Sequence, residues 1–279
     1  QQFFIWCCGS IDADAISESS EEFDLSIMVC KNKRLTEIPN VSEQVVHLML
    51  LRNQISNLNP LKKSLQITIL NLQENLIKDI SPLSVLVNLQ KLNLRQNQVT
   101  DISALQKMQH LQCLKLGLNK IENLLPLAAL SELTQLELDG NGIRSIAPLS
   151  KLNLIWLDVG FNKITELPEM QPTLQCLFLQ SNRIGSIANV QTMPNLVHLN
   201  LSQNQITDIT PLKHCEILES CWLDRNKIDK APDFALLKNV KDVWIEFGQK
   251  GQNPFLSERK MQNAIPLVSF DGESNNSFK

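Results

Sequence analysis

Residues 89–105 read LQKLNLRQNQVTDISAL. Leucines stand at 89, 92 and 94, an asparagine at 97, and apolar residues again at 99, 102 and 105. The line returns at 133–149 as LTQLELDGNGIRSIAPL, with Asn141 where Asn97 stood. Counting that asparagine along the chain gives Asn53, Asn75, Asn97, Asn119, Asn141, Asn162, Asn182, Asn204 and Asn226. Successive gaps are 22, 22, 22, 22, 21, 20, 22 and 22 residues, and Gly248 takes the slot one period further on. A fixed period of this size marks a solenoid, in which each turn stacks on the one before.

Within each line, L-x-L places two inward leucines around one outward residue, which is strand alternation. Strands from successive turns then form a parallel sheet over a continuous leucine core. The chain must leave each strand sharply, and an asparagine amide can bond the backbone groups that such a bend leaves unpaired. Proline follows seven residues after the asparagine at 60, 82, 126, 148 and 211, with Asn59, Ser81 and Thr210 just before three of them. A capping side chain ahead of proline suits the first turn of a short helix. So few residues remain in each turn that a 3-10 turn or a short helix is expected there. The sequence therefore predicts an α/β right-handed solenoid of about ten turns, with a curved parallel sheet on the concave side and short 3-10 or α turns on the convex side.

Composition narrows the function. The 279 residues are 43% hydrophobic and 20% charged, with a formal net charge of −3. Apart from KNKR at 31–34 the basic residues are scattered, which argues against nucleic acid as partner. No apolar run is long enough for a membrane span, and FFIWCC at 3–8 is too short for a signal peptide. The seven cysteines are odd in number and lack zinc-site spacing, so reduced thiols in a cytosolic or nuclear setting are expected. No cofactor is expected.

Three segments follow from the period. Residues 1–34 form an irregular acidic segment, in which IDADAISESSEEFD (11–24) carries six acids and no base. Residues 35–251 are repeats. Residues 252–279 break the period and are expected to close the last turn, through Phe255, Leu256, Met261, Ile265, Leu267 and Phe270.

The outward strand positions lie six, four and two residues before each asparagine. Along the chain they begin with an apolar patch, Met49, Leu51 and Ile69, and pass to a basic zone, Lys91, Arg95 and Lys115. From Glu137 and Asp139 onward they become acidic and aromatic. Three of the four tryptophans, Trp156, Trp222 and Trp244, stand at outward positions. Large rigid rings offered on a sheet are what binding hot spots are made of. The candidate partner-binding residues are Trp156, Asp158, Phe178, His198, Trp222, Asp224, Asp242, Trp244 and Glu246, with Lys91, Arg95 and Lys115 as a second, basic zone.

LxxLxLxxNxIxxI turns that end in NP…IPLVSFDG resemble the eukaryotic 22-residue leucine-rich-repeat class with a C-terminal cap, that of the protein phosphatase 1 regulatory subunit 7 family. The resemblance implies a non-enzymatic scaffold, a monomer or part of a larger complex, that grips a Ser/Thr phosphatase catalytic subunit with aromatic and acidic residues of its late strands. Trp222 and Trp244, each followed two residues later by an acid, fit that pattern; Asn93, Lys115 and Asn200 depart from it. A structural adaptor in a ciliary or cytoskeletal assembly is the rival within the same class. DISPL (79–83) and DITPL (208–212) resemble bacterial internalins, which implies a surface adhesin with a secretion signal and an appended domain.

Two places in the sequence bear on catalytic and metal chemistry. Cys176 and His198 share a slot on neighbouring turns, where a thiolate–imidazole pair or half a metal site is conceivable, but the orienting group and further ligands that either needs are missing. Glu137, Asp139 and Asp158 could face a hard cation; a solvated acidic face is the expectation. Cys221 replaces an inward leucine and Cys215 matches Met108, so both are expected in the core.

Overall fold

The structure, a computed structural model, describes residues 26–228 and 240–245, which lie within one compact unit spanning 26–256. Trp6, Cys7, Cys8, the acidic run at 11–24, Glu246, Gly248 and the residues expected to form the C-terminal cap fall outside the described residues.

Among the described residues, eleven short strands form one parallel sheet whose spatial order is the chain order. They are β1 (Ile27–Val29), β2 (His47–Met49), β3 (Ile69–Asn71), β4 (Lys91–Asn93), β5 (Cys113–Lys115), β6 (Gln135–Glu137), β7 (Trp156–Asp158), β8 (Cys176–Phe178), β9 (His198–Asn200), β10 (Ser220–Leu223) and β11 (Asp242–Ile245). The register never slips. Leu48, Leu70, Leu92, Leu114, Leu136, Leu157, Leu177, Leu199 and Cys221 stand side by side at the middle of β2 through β10. All nine are fully buried, as the period requires. Cys215 also lies in the core, its thiol 3.8 Å from the carbonyl of Met193.

The asparagines form the expected ladder. Asn97 donates from Nδ2 to the carbonyls of Leu72 (2.9 Å), Leu94 (3.1 Å) and Arg95 (3.3 Å), and its Oδ1 accepts from the Ile77 N–H at 3.0 Å. One side chain therefore ties its own bend to the turn before it. Asn75, Asn119, Asn141, Asn162, Asn182, Asn204 and Asn226 repeat the scheme. The residue ahead of each asparagine takes a left-handed backbone, with φ between +53° at Glu74 and +64° at Gly140. Only one of these nine positions is glycine. Such a backbone costs a residue with a Cβ about 1–2 kcal/mol, and the shared asparagine bonds hold it in place.

On the return limb the expected 3-10 turns are present. They are η1 (Asn59–Lys63), η2 (Ser81–Val85), η3 (Ser103–Lys107), η4 (Leu125–Leu127), η5 (Ala147–Leu149), η6 (Ala188–Thr192) and η7 (Thr210–His214). The 20-residue turn between Asn162 and Asn182 carries none, because its missing residues come out of this limb.

Two expectations are corrected. Asn59, Ser81 and Thr210 do not cap these turns. The caps come from two residues earlier, where Asn57, Asp79 and Asp208 accept from the backbone N–H of Asn59, Ser81 and Thr210 at 2.8–3.0 Å. The residue between, Leu58, Ile80 or Ile209, is committed to the core and cannot cap. The sheet also starts before the counted asparagines do: β1 lies inside the segment read as irregular, pairing Ile27 with His47 and Val29 with Met49.

Candidate partner-binding face

The residues six and four places before each asparagine stand on the sheet face opposite the leucine core. On the late turns these are Trp156 and Asp158 on β7, Cys176 and Phe178 on β8, His198 and Asn200 on β9, Ser220 and Trp222 on β10, and Asp242 and Trp244 on β11. The Trp156 and Phe178 rings pair across β7 and β8, with centroids 5.7 Å apart and planes tilted by 49°. A tilted pair of this kind sets the positive edge of one ring toward the negative face of the other. Trp222 and Trp244 stand in register on neighbouring strands. Trp222 is half-buried and Trp244 is 38% exposed. His198 and Asn200 on β9 separate the two aromatic groups.

Charges on this face meet one another more than the sequence suggests. Arg95 reaches past a whole turn to Glu137 and Asp139, with Nη2 donating to Asp139 Oδ2 at 3.0 Å. The residue in its path is Gly117, where a Cβ would lie 2.2 Å from Asp139 Oδ1 and 2.3 Å from Arg95 Nη1. Glycine here is a gap for a guanidinium. Burial pulls the Arg95 pKa down, but the bonds and charges of Asp139 and Glu137 more than offset it and hold the cation. Lys115 stands 3.6 Å from Glu137 as well. The expected basic zone is thus largely consumed within the face: Arg95 and Lys115 are paired, and Lys91 is half-buried.

The acidic zone is muted too. Asp158, although its Oδ1 accepts from the Gly160 N–H at 2.9 Å, is pushed up to about 8 by burial and by the neighbouring Asp139 and Glu137 charges. At neutral pH it is mainly a neutral acid. Asp224 accepts from the Ser202 hydroxyl. Asp242 is half-buried on β11.

Cys176 and His198 are in register, as expected, but chemically quiet. Burial pushes the Cys176 thiol up to about 11, so almost none of it is thiolate at neutral pH. Burial lowers the His198 pKa despite nearby Glu219 and Asp242, so the imidazole is neutral. His198 Nδ1 and Gln180 Oε1 are buried without a hydrogen-bond partner among the described residues. Among those residues no group of three or more His, Cys, Asp or Glu is placed to hold a metal, and no helix is long and apolar enough to cross a membrane.

Reading the sequence missed the Arg95–Glu137–Asp139 network. A signal was there: Arg95, Gly117 and Asp139 occupy one slot on three consecutive turns, and a glycine between opposite charges lets them meet. It also missed that Gln180 fills the gap at Gly160, where a Cβ would lie 2.4 Å from the Gln180 amide nitrogen.

Comparison with known proteins agrees with this architecture. A family model described as Leucine Rich repeats (2 copies) matches residues 87–129 and 172–214. The chain carries leucine-rich repeats, and its fold is a leucine-rich-repeat solenoid. It resembles a protein phosphatase 1 regulatory inhibitor subunit PPP1R7 homolog of Arabidopsis thaliana, 31% identical over 93 residues. That match takes in 32% of this chain and 28% of the plant protein, so it spans little more than a quarter of the relative's length. Among solved structures, the internalin InlF of Listeria monocytogenes superposes with a TM-score of 0.68 at 25% identity, over 80% of this chain and 75% of that one. Internalin C2 of the same organism is 31% identical, with a TM-score of 0.56 over 69% and 78% of the two chains.

Proposed function

We propose that the protein is a non-catalytic scaffold that binds a protein partner on the outward face of its sheet, centred on β7 to β11. The observation that carries this reading is the aromatic row on that face: the Trp156–Phe178 pair and the in-register Trp222 and Trp244. Tryptophans not sunk in a core, held on a rigid sheet, lose little entropy on binding and bury a large area. With Asp158 largely protonated and Glu137 and Asp139 engaged by Arg95, the matching surface is more apolar and less basic than the sequence implies.

The sharper form of the proposal makes the partner a Ser/Thr phosphatase catalytic subunit, on the strength of the resemblance to the plant PPP1R7 homolog. An adaptor in a ciliary or cytoskeletal assembly would use the same face. The likeness to internalin C2 supports a third partner class, reached by a surface adhesin. Isothermal titration with a phosphatase 1 catalytic subunit is the discriminating experiment. The Trp222→Ala variant is expected to weaken binding by at least ~2 kcal/mol while its melting curve stays close to wild type. No binding by the wild-type chain sinks the phosphatase reading alone. A Trp222→Ala variant that unfolds assigns that ring to the core and sinks the face itself.

A further inference from the structure

The residues just before and just after each ladder asparagine form an edge beside the sheet, distinct from its aromatic face. The slot before the asparagine is polar at Arg52, Glu74, Gln96, Ser181, Gln203 and Arg225, as suits a solvent-facing left-handed backbone. Two turns break that rule. Leu118 is 42% exposed with φ +54°, and Phe161 is 57% exposed with φ +55°. A bulky apolar side chain at such a place is unfavourable twice, in backbone sterics and in hydration. Between them stands Gly140, where a Cβ would lie 2.6 Å from Leu118 Cδ2, so the leucine leans across a notch.

The slot after the asparagine carries the charge. Lys120, Lys163 and Arg183 occupy it, with Gly142 on the turn between and Arg144 two residues past that glycine. A second backbone ladder lines these turns up. The N–H groups of Lys120, Gly142, Lys163 and Arg183 donate to the carbonyls of Val99, Ile121, Ile143 and Ile164 at 2.8–3.0 Å. Neighbouring cations are thus spaced by one turn, or two across Gly142, at roughly 5 Å per turn. Among the described residues none of the four side chains makes an ion pair. The acids on the same loops are Glu122 and Glu166, so four cations face two anions on a chain whose overall charge is −3.

We propose that this edge, from Leu118 to Arg183, docks an acidic peptide segment of a partner protein. Its carboxylates lie along Lys120, Arg144, Lys163 and Arg183, and one apolar side chain settles against Phe161 and the Leu118 side chain that lies over Gly140. The exposed leucine is what favours a peptide over a nucleic acid or a polyanionic glycan, since neither of those brings aliphatic surface to cover it. The proposal does not depend on what binds the aromatic face.

The test is a random dodecapeptide phage library panned on the wild-type chain, followed by anisotropy with a labelled peptide made from an enriched sequence. The comparison variants are Phe161→Asn, which keeps a left-handed backbone, and Arg183→Glu, at an exposed side chain. Enriched sequences are expected to carry several Asp or Glu around one Leu, Phe or Met. Each variant is expected to weaken the labelled peptide about tenfold or more, and rising salt to weaken it further, while Trp222→Ala leaves it unchanged. Enriched sequences without acids overturn the proposal, as does a peptide that binds both folded variants as well as wild type. Heparin or single-stranded DNA binding more tightly than the best peptide also overturns it.

Discussion

Leu92 and Asp158 sit on opposite sides of one sheet and are governed by opposite physics. Leu92 is sealed between Leu70 and Leu114 with no exposed surface. Its truncation leaves a cavity that rigid neighbouring turns cannot close. Leu92→Ala is expected to cost roughly 2–5 kcal/mol in urea unfolding; a loss below about half a kcal/mol would put the side chain on the wrong face. Asp158 gains a proton on folding where an ordinary carboxyl would lose one. Its folded value of about 8 lies above the unfolded value, so between about pH 4 and pH 8 the folded state binds the extra proton. Its contribution to stability is therefore complete at low pH and falls away as pH rises through that window. Asp158→Asn, which cannot ionise, is expected to melt progressively higher than wild type as pH climbs from about 5 to about 8, with the gap levelling off above. Parallel pH profiles would expose a carboxyl of ordinary acidity.

At the scale of one turn, a three-residue strand has little independent stability, and the bend after it is held by the asparagine. Asn119 shows how much hangs on one amide: Nδ2 donates to Leu94, Leu116 and Gly117 carbonyls at 2.9–3.2 Å, and Oδ1 accepts from the Val99 N–H at 2.9 Å. Asn119→Ala leaves these buried groups unpaired and is expected to cost about 2–5 kcal/mol by chemical denaturation. Asn119→Asp is expected to be worse, although it keeps the acceptor, because an anion would then face three carbonyl oxygens. If aspartate is tolerated better than alanine, the donors are not what holds the bend. Residues with a Cβ tolerate the left-handed position before each asparagine because those bonds stabilise it, which is why glycine is found there at Gly140 alone.

At the scale of the whole repeat unit, each turn touches its neighbours and little else, so the unit behaves as a one-dimensional stack. Removing residues 54–75 deletes one full period and joins Asn53 to Leu76, restoring register. That variant is expected to keep its circular dichroism shape and to melt cooperatively within about 10 °C of the full chain. Deleting 54–64 removes half a period, leaves one turn too short to bring its strand beside β2, and is expected to lower the melting point much further than the full-period deletion. Equal damage from both deletions would mean that register is not what specifies the stack.

The 22-residue spacing by itself determined the strand positions, the buried leucines, the asparagine ladder, the 3-10 limb and the outward placement of Trp156, Trp222 and Trp244. These are nearest-neighbour properties that each line of sequence restates, so counting from Asn53 to Asn226 recovers them. The extra strand at Ile27–Val29 escaped the count because it precedes the first asparagine of the ladder. The rest was decided by distances between turns and by how far water is shut out. Arg95 meets Asp139 only because Gly117 clears the way, Asp158 and Cys176 hold their protons because burial penalises their charged forms, and Leu118 and Phe161 stay exposed because no neighbouring turn covers them. A one-dimensional pattern shows which way a side chain points; the packed structure decides what it meets there.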